Sequence, residues 1–173
     1  ILSMPVGVIV SALPVAAHST IDGEAERSAV TGEAIEVTAT ARDLVGLPLA
    51  HDEGSLTVLV LRSGKAVDDV ASLRYEGDGG YAVSATFDQT GEYEVFLLVG
   101  GTLLAQSVTI MVTCPEHKAP LATGECSCNR GYEPSASGES CTPCLSGYYK
   151  PSIGQSAWFQ CAAPVAGYEV GAV

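Results

Sequence analysis

The sequence predicts an all-β protein, a β-sandwich followed by a small disulfide-rich module. Three observations carry this reading. From Ile35 onward apolar residues recur at every second position, as they do in half-buried strands. Clusters of turn-forming residues separate these runs at the short, regular spacing that suits a sandwich. All six cysteines fall between positions 114 and 161, in a stretch too short and too poor in apolar residues to hold itself together by a core. No segment shows a 3.6-residue period with caps.

The strands follow in order. Ile35, Val37 and Ala39 alternate with Glu36, Thr38 and Thr40. Leu56, Val58 and Val60 alternate with Thr57, Leu59 and Leu61, and because both faces are apolar this strand is expected at the centre of a sheet. Tyr81, Val83 and Ala85 follow the turn cluster Gly77-Asp78-Gly79-Gly80. Tyr93, Val95, Leu97 and Val99 form the next strand, introduced by Thr90-Gly91-Glu92. Gly100-Gly101 then fits a two-residue primed hairpin turn, where both positions need positive φ. The return strand runs through Leu103 and Leu104 to Val108, Ile110 and Val112.

The chain has 173 residues, with 20 acidic against 8 basic side chains and a net charge of −12. A nucleic-acid partner is excluded, since binding one needs a basic footprint that displaces counterions. An anionic membrane surface would repel the chain for the same reason. With 47% hydrophobic and 16% charged residues, intrinsic disorder is not expected. The charge is uneven: residues 1–113 carry 15 acidic and 5 basic groups and no cysteine, whereas residues 114–173 carry 5 and 3 and every cysteine. That step marks a domain boundary at Cys114.

The opening run, Ile1 to Ala17, has the apolar character of a signal-peptide core but lacks a basic leading region and is broken by Pro5 and Pro14. Its alternation from Val6 to Ala12 favours a strand. No stretch reaches the roughly 18–20 uninterrupted apolar residues of a membrane-spanning helix, so no direct membrane insertion is expected within this segment.

The motifs of the first part resemble a filamin-type immunoglobulin repeat. Val30-Thr31-Gly32-Glu33, the run from Thr40 to Leu49, Gly77-Asp78-Gly79-Gly80-Tyr81, Thr90-Gly91-Glu92-Tyr93 and Gly100-Gly101 carry the likeness. Departures stand at Gly80, Leu47 and Gln106-Ser107-Val108, and none disturbs the alternation. The resemblance implies that residues 1–18 are the last strand and linker of a preceding repeat, that 19–113 form one immunoglobulin-like domain, and that the chain is cut from a tandem array. Tyr93, at the start of a strand after a tight corner, is the expected structural corner, its hydroxyl bonding back to the backbone.

The cysteines are spaced Cys114-x11-Cys126-x-Cys128-x12-Cys141-x2-Cys144-x16-Cys161. An even count among Gly, Ser and Pro suggests a disulfide framework, for which fifteen pairings are formally possible. Cys126 and Cys128, one residue apart, do not readily pair with each other. The economical solution is sequential: Cys114–Cys126, Cys128–Cys141 and Cys144–Cys161, each contributing roughly 3 kcal/mol by loop entropy. The competing reading is a zinc knuckle built from Cys126, Cys128, Cys141 and Cys144, which leaves Cys114 and Cys161 unexplained.

Residues 114–161 also resemble the EGF-like, cysteine-rich repeats of ephrin-receptor ectodomains. The likeness rests on Cys114-Pro115-Glu116-His117, on Cys126 to Tyr132, and on Cys141 to Lys150; it breaks at Cys161-Ala162-Ala163-Pro164. Met111-Val112-Thr113 stands where a calcium-binding subtype would carry an acidic pair, so no calcium site is expected there. Residues 162–173 are expected to be a linker or the start of a next module.

Nothing in the sequence assembles catalysis, and neither a metal nor a cofactor is expected. His18, His51 and His117 stand singly, no serine sits in a nucleophile elbow, and no glycine loop carries a phosphate-binding lysine. Asp68, Asp69, Asp78 and His51-Asp52-Glu53 read as solvated turns. The adjacent aromatics Trp158 and Phe159 are the candidate protein contact, in competition with packing on the Cys144–Cys161 bridge. Asn129, the only asparagine, is followed by Arg-Gly and is no N-glycan acceptor, whereas Ser135, Thr142 and Ser152 near prolines are candidate O-glycan sites.

The expected function is that of a structural segment in a large extracellular fibrous or adhesive protein, of flagellar-hair (mastigoneme-like) or matrix type. Its partners would be other protein chains or copies of itself. The alternative is the ectodomain of a cell-surface receptor that recognises a partner in cell contact. A third, the accessory part of a secreted enzyme, would need a catalytic domain elsewhere.

Overall fold

The computed structural model of the chain describes residues 13–52, 56–154 and 161–163. Among these the chain is built of strands and turns, with no helix. The strands are β1 (Thr20–Asp22), β2 (Glu26–Val30), β3 (Ala34–Thr40), β4 (Leu56–Arg62), β5 (Lys65–Ala66), β6 (Ala71–Gly77), β7 (Gly80–Thr86), β8 (Gly91–Val99), β9 (Thr102–Thr113), β10 (Lys118–Pro120), β11 (Cys126–Cys128), β12 (Tyr132–Pro134) and β13 (Cys141–Pro143). They form a four-stranded sheet in the order β1-β3-β7-β6, a five-stranded sheet in the order β2-β9-β8-β4-β5, and the two-stranded ribbons β10-β11 and β12-β13. By its internal contacts the chain divides into two compact units. One comprises Ile1–Arg27, Ile35–Ala85 and Glu94–Thr109; the other comprises Ser28–Ala34, Thr86–Tyr93 and Ile110–Val173.

The first unit holds most of the sandwich. Every second residue of its long strands turns inward, so Val37, Ala39, Val83 and Ala85 from one sheet and Val60, Val95, Leu97, Val99 and Val108 from the other are buried. The intervening Glu36, Thr38 and Gln106 are exposed. The first strand is split between sheets: β1 pairs with β3, whereas Thr109 N–H donates to the Ala25 carbonyl at 2.8 Å beside β2. Arg27 fastens this crossing, donating to the Asp22 carbonyl at 3.1 Å and the Glu36 carbonyl at 2.7 Å.

Two turns need glycine. Gly100 and Gly101 link β8 to β9 with φ of 55° and 80°, the sign a primed turn requires at both positions. Gly79, with φ of 74°, joins β6 to β7 and lies against the Ala41–Leu49 backbone; Ala41 N–H donates to its carbonyl at 2.8 Å. There Tyr75 and Tyr81 are opposite each other in the ladder, their rings 5.1 Å apart. β4 is less central than its doubly apolar pattern predicts. Its outer neighbour β5 pairs only with Leu61 and Arg62, so Val58, Leu59 and Leu61 are half-buried instead of enclosed on both faces.

In the second unit Phe87, Tyr93, Ile110 and Val112 are buried, with the Phe87 and Tyr93 rings 4.2 Å apart. Thr31 N–H donates to the Thr113 carbonyl at 2.9 Å, and the Thr31 hydroxyl lies 3.2 Å from Cys126 Sγ. The backbone N–H and hydroxyl of Thr90 both donate to the Gly124 carbonyl, at 2.8 and 3.1 Å. Three disulfides join Cys114 to Cys126, Cys128 to Cys141, and Cys144 to Cys161. The two ribbons supply little core of their own beyond buried Cys128 and Cys141, so covalent closure substitutes for apolar burial.

Candidate interaction surface

Among the described residues, the most exposed cluster of large apolar side chains belongs to the loop that follows β3. Leu44, Val45 and Leu47 are 74%, 74% and 61% exposed. Scattered surface leucines are ordinary, but three on one short loop form a patch. The loop is ordered by hydrogen bonds of its own backbone and of the Asp43 and Arg42 side chains. Asp43 Oδ1 accepts from the N–H groups of Val45 and Leu47, both at 2.9 Å. Asp43 N–H donates to the Leu47 carbonyl at 2.9 Å, and Gly46 N–H to the Asp43 carbonyl at 3.0 Å. Arg42 Nη1 caps the Gly46 carbonyl at 3.0 Å, and Arg42 bridges Pro48 at the base. With its polar groups turned inward, the loop presents aliphatic side chains on a pre-ordered frame, which limits the entropy lost when a partner covers them. In the sequence this run is marked only by its resemblance; the signal is Leu44, Val45 and Leu47 spaced around the turn residue Gly46.

The second unit contains a buried cation. Lys150, 2% exposed, donates from Nζ to the carbonyl oxygens of Cys128 at 2.9 Å, Tyr132 at 2.8 Å and Gly154 at 2.7 Å. Three acceptors match the three protons of an ammonium. Burial pushes Lys150 below the ordinary lysine pKa of 10.5, and the Glu133 carboxylate opposes that shift. The lysine thus acts as a brace between loops. It went unrecognised in the sequence, where a lysine after Tyr148-Tyr149 carries no mark of burial.

A cleft of about 510 Å³ in the same unit is lined in part by Asp88, Lys118, Leu121 and Glu125. Tyr93 donates from its hydroxyl to the Gln89 carbonyl at 3.0 Å, across the corner before β8. His117, with φ of 61°, stacks on the Tyr132 ring at 4.3 Å. Asp52 accepts from the Tyr81 hydroxyl at 3.0 Å. Asp69 and Asp78 occupy positive-φ positions between strands. Trp158 and Phe159 lie outside the described residues, as do most of residues 1–18 and 162–173. Among the described residues no three His, Cys, Asp or Glu side chains gather as a metal site, and no helix is long and apolar enough to cross a membrane.

No protein-family model matches the chain, and no curated protein matches it. Similar solved structures include the Lin-41 filamin domain, at 21% identity and TM-score 0.50, covering 59% of this chain and 98% of that one. They also include the Escherichia coli adhesin FdeC, at 21% identity and TM-score 0.49, covering 89% of this chain and 44% of that one. Invasin, a bacterial integrin-binding protein, is similar at 21% identity and TM-score 0.45, covering 61% and 21%. The likeness to the filamin domain is one of fold: an immunoglobulin-like β-sandwich.

Proposed function

We propose that this chain is a structural segment of a large extracellular fibrous or adhesive protein, of flagellar-hair or matrix type, which assembles through protein–protein contacts. The observation that carries the reading is the Leu44-Val45-Leu47 tip, an apolar surface held ready by the hydrogen bonds of Asp43 and Arg42. Three disulfides support an oxidising, extracellular setting. The short edge strand β5 leaves a sheet margin suited to strand addition by a partner. The net charge of −12 favours the receptor alternative, because copies of one acidic chain repel while a basic-rimmed partner on an opposing surface is attracted.

Sedimentation of the purified chain over a concentration series separates the two. In the fibrous reading the wild type associates, and Leu44→Asp/Leu47→Asp weakens association at least tenfold with an unchanged β-sheet circular dichroism spectrum. A chain that stays monomeric at every concentration and at high salt removes self-assembly and leaves the receptor reading.

A further inference from the structure

We infer that the cysteine-rich stretch is a length-limited tension link, in which a pull along the chain passes through three disulfides in series and bypasses the loops they close. The pairing is strictly sequential, with no bridge nested in or crossing another. Between the first and second bridges the backbone supplies only Ser127, and between the second and third only Thr142 and Pro143. These connectors lie in β11 and β13, so they are extended before any load is applied. Tension arriving along β9 therefore reaches Cys114, crosses to Cys126, runs through Ser127 to Cys128, crosses to Cys141, and continues through Pro143 to Cys144 and Cys161.

The bypassed loops span separations of 12, 13 and 17 residues, while the paired Cα atoms are 5.6, 5.6 and 5.5 Å apart. At about 3.3–3.6 Å per extended residue, the bridges withhold roughly 35, 40 and 55 Å of chain, about 130 Å in all. Crossing pairs would route part of the load through the loops and stretch them, and nested pairs would leave the inner bridges out of the load path. Here His117, Tyr132 and Lys150 each stand on a bypassed loop, so the backbone that carries them is not drawn out by the load. The stretch transmits force while keeping its loops in shape for contact. The inference rests on the assembly reading only for the source of the tension.

The test is single-molecule stretching of the full chain, held at its two termini, with the fully extended length as the readout. Treatment with a water-soluble phosphine reduces each bridge to two thiols, the phosphine being converted to its oxide with oxygen from water. The extended length then grows by about 130 Å. Untreated Cys144→Ala/Cys161→Ala grows by about 55 Å, whether or not the variant folds, because full extension is measured after unfolding. Equal lengths before and after reduction, or no gain in the double variant, overturn the inference. A single molecule is pulled in isolation, so failure of the assembly reading does not alter this result, and failure here leaves assembly untouched.

Discussion

Lys150 donates from Nζ to the Cys128 carbonyl oxygen at 2.9 Å from a position that is almost wholly buried. The same nitrogen serves Tyr132 and Gly154, so one side chain ties β11, β12 and the segment after Pro151 together. A buried ammonium is costly unless its protons are all used, and here they are.

Lys150→Met is expected to lower stability by about 3 kcal/mol, because a methyl-capped chain of similar length leaves the carbonyls without their donor. Lys150→Arg is not expected to restore it, since a planar fork does not fit three converging acceptors. Urea midpoints under non-reducing conditions measure both. Burial holds the folded pKa below 10.5. Between that depressed value and 10.5 the unfolded chain binds more protons, so the contribution of this group grows as pH rises to 10.5 and is lost as pH falls through the folded value. The difference between wild type and Lys150→Met therefore widens with alkaline pH, and a difference that narrows would contradict the assignment. The described cysteines are all paired, so no free thiol among them drives exchange during the titration.

Gly79→Ala is expected to cost more than Gly100→Ala, although both positions have positive φ. A Cβ on Gly79 would stand 2.5 Å from the Ala41 carbonyl oxygen and 2.8 Å from the Leu49 nitrogen, both backbone atoms. At Gly100 nothing lies within 4 Å, leaving only conformational strain. Thermal denaturation should show a loss of about 1 kcal/mol at Gly100 and about 3 kcal/mol or more at Gly79.

Tyr93→Phe removes the hydroxyl that meets the Gln89 carbonyl but keeps the ring packed on Phe87. The expected loss is about 1–1.5 kcal/mol. Tyr93→Ala, which also empties a buried ring site, should cost about 3–5 kcal/mol. Equal losses for the two variants would show that the hydroxyl, and not the ring, holds the corner.

Much of the fold was legible because its signals are local. The alternation of Ile35 to Thr40 and of Tyr93 to Val99 appears directly as β3 and β8, and Gly100-Gly101 turns where positive φ demands it. The short strands were not legible. β1, β2 and β5 have two to five residues, too few for a period to register, and β1 and β2 are fixed by ladder partners distant in sequence. β6 alternates through Leu73 and Tyr75, but Asp68 and Asp69 just before it read as turns. The Leu44-Val45-Leu47 tip was obscured for a different reason: in the sequence the run from Thr40 to Leu49 carries only a resemblance, and the bonds to the Asp43 carboxylate that order the loop form only on folding. Lys150 illustrates the converse, since the acceptors that draw it inward come from residues 128, 132 and 154 and only folding gathers them.

Burial ranks the three bridges. Cys128 is 0% exposed and Cys141 8%, whereas both cysteines of the flanking pairs are half-buried. Attack by a thiolate needs access to sulfur along the bond axis, so accessibility sets the sequence of events when a folded molecule meets a mild reductant. The outer pairs open first, and the middle pair persists until the fold around it gives way. A partly reduced population would carry thiol labels at Cys114, Cys126, Cys144 and Cys161 while Cys128 and Cys141 stay unlabelled. The middle bridge is in this sense the kinetic lock of the stretch, and the outer two are its sacrificial ends.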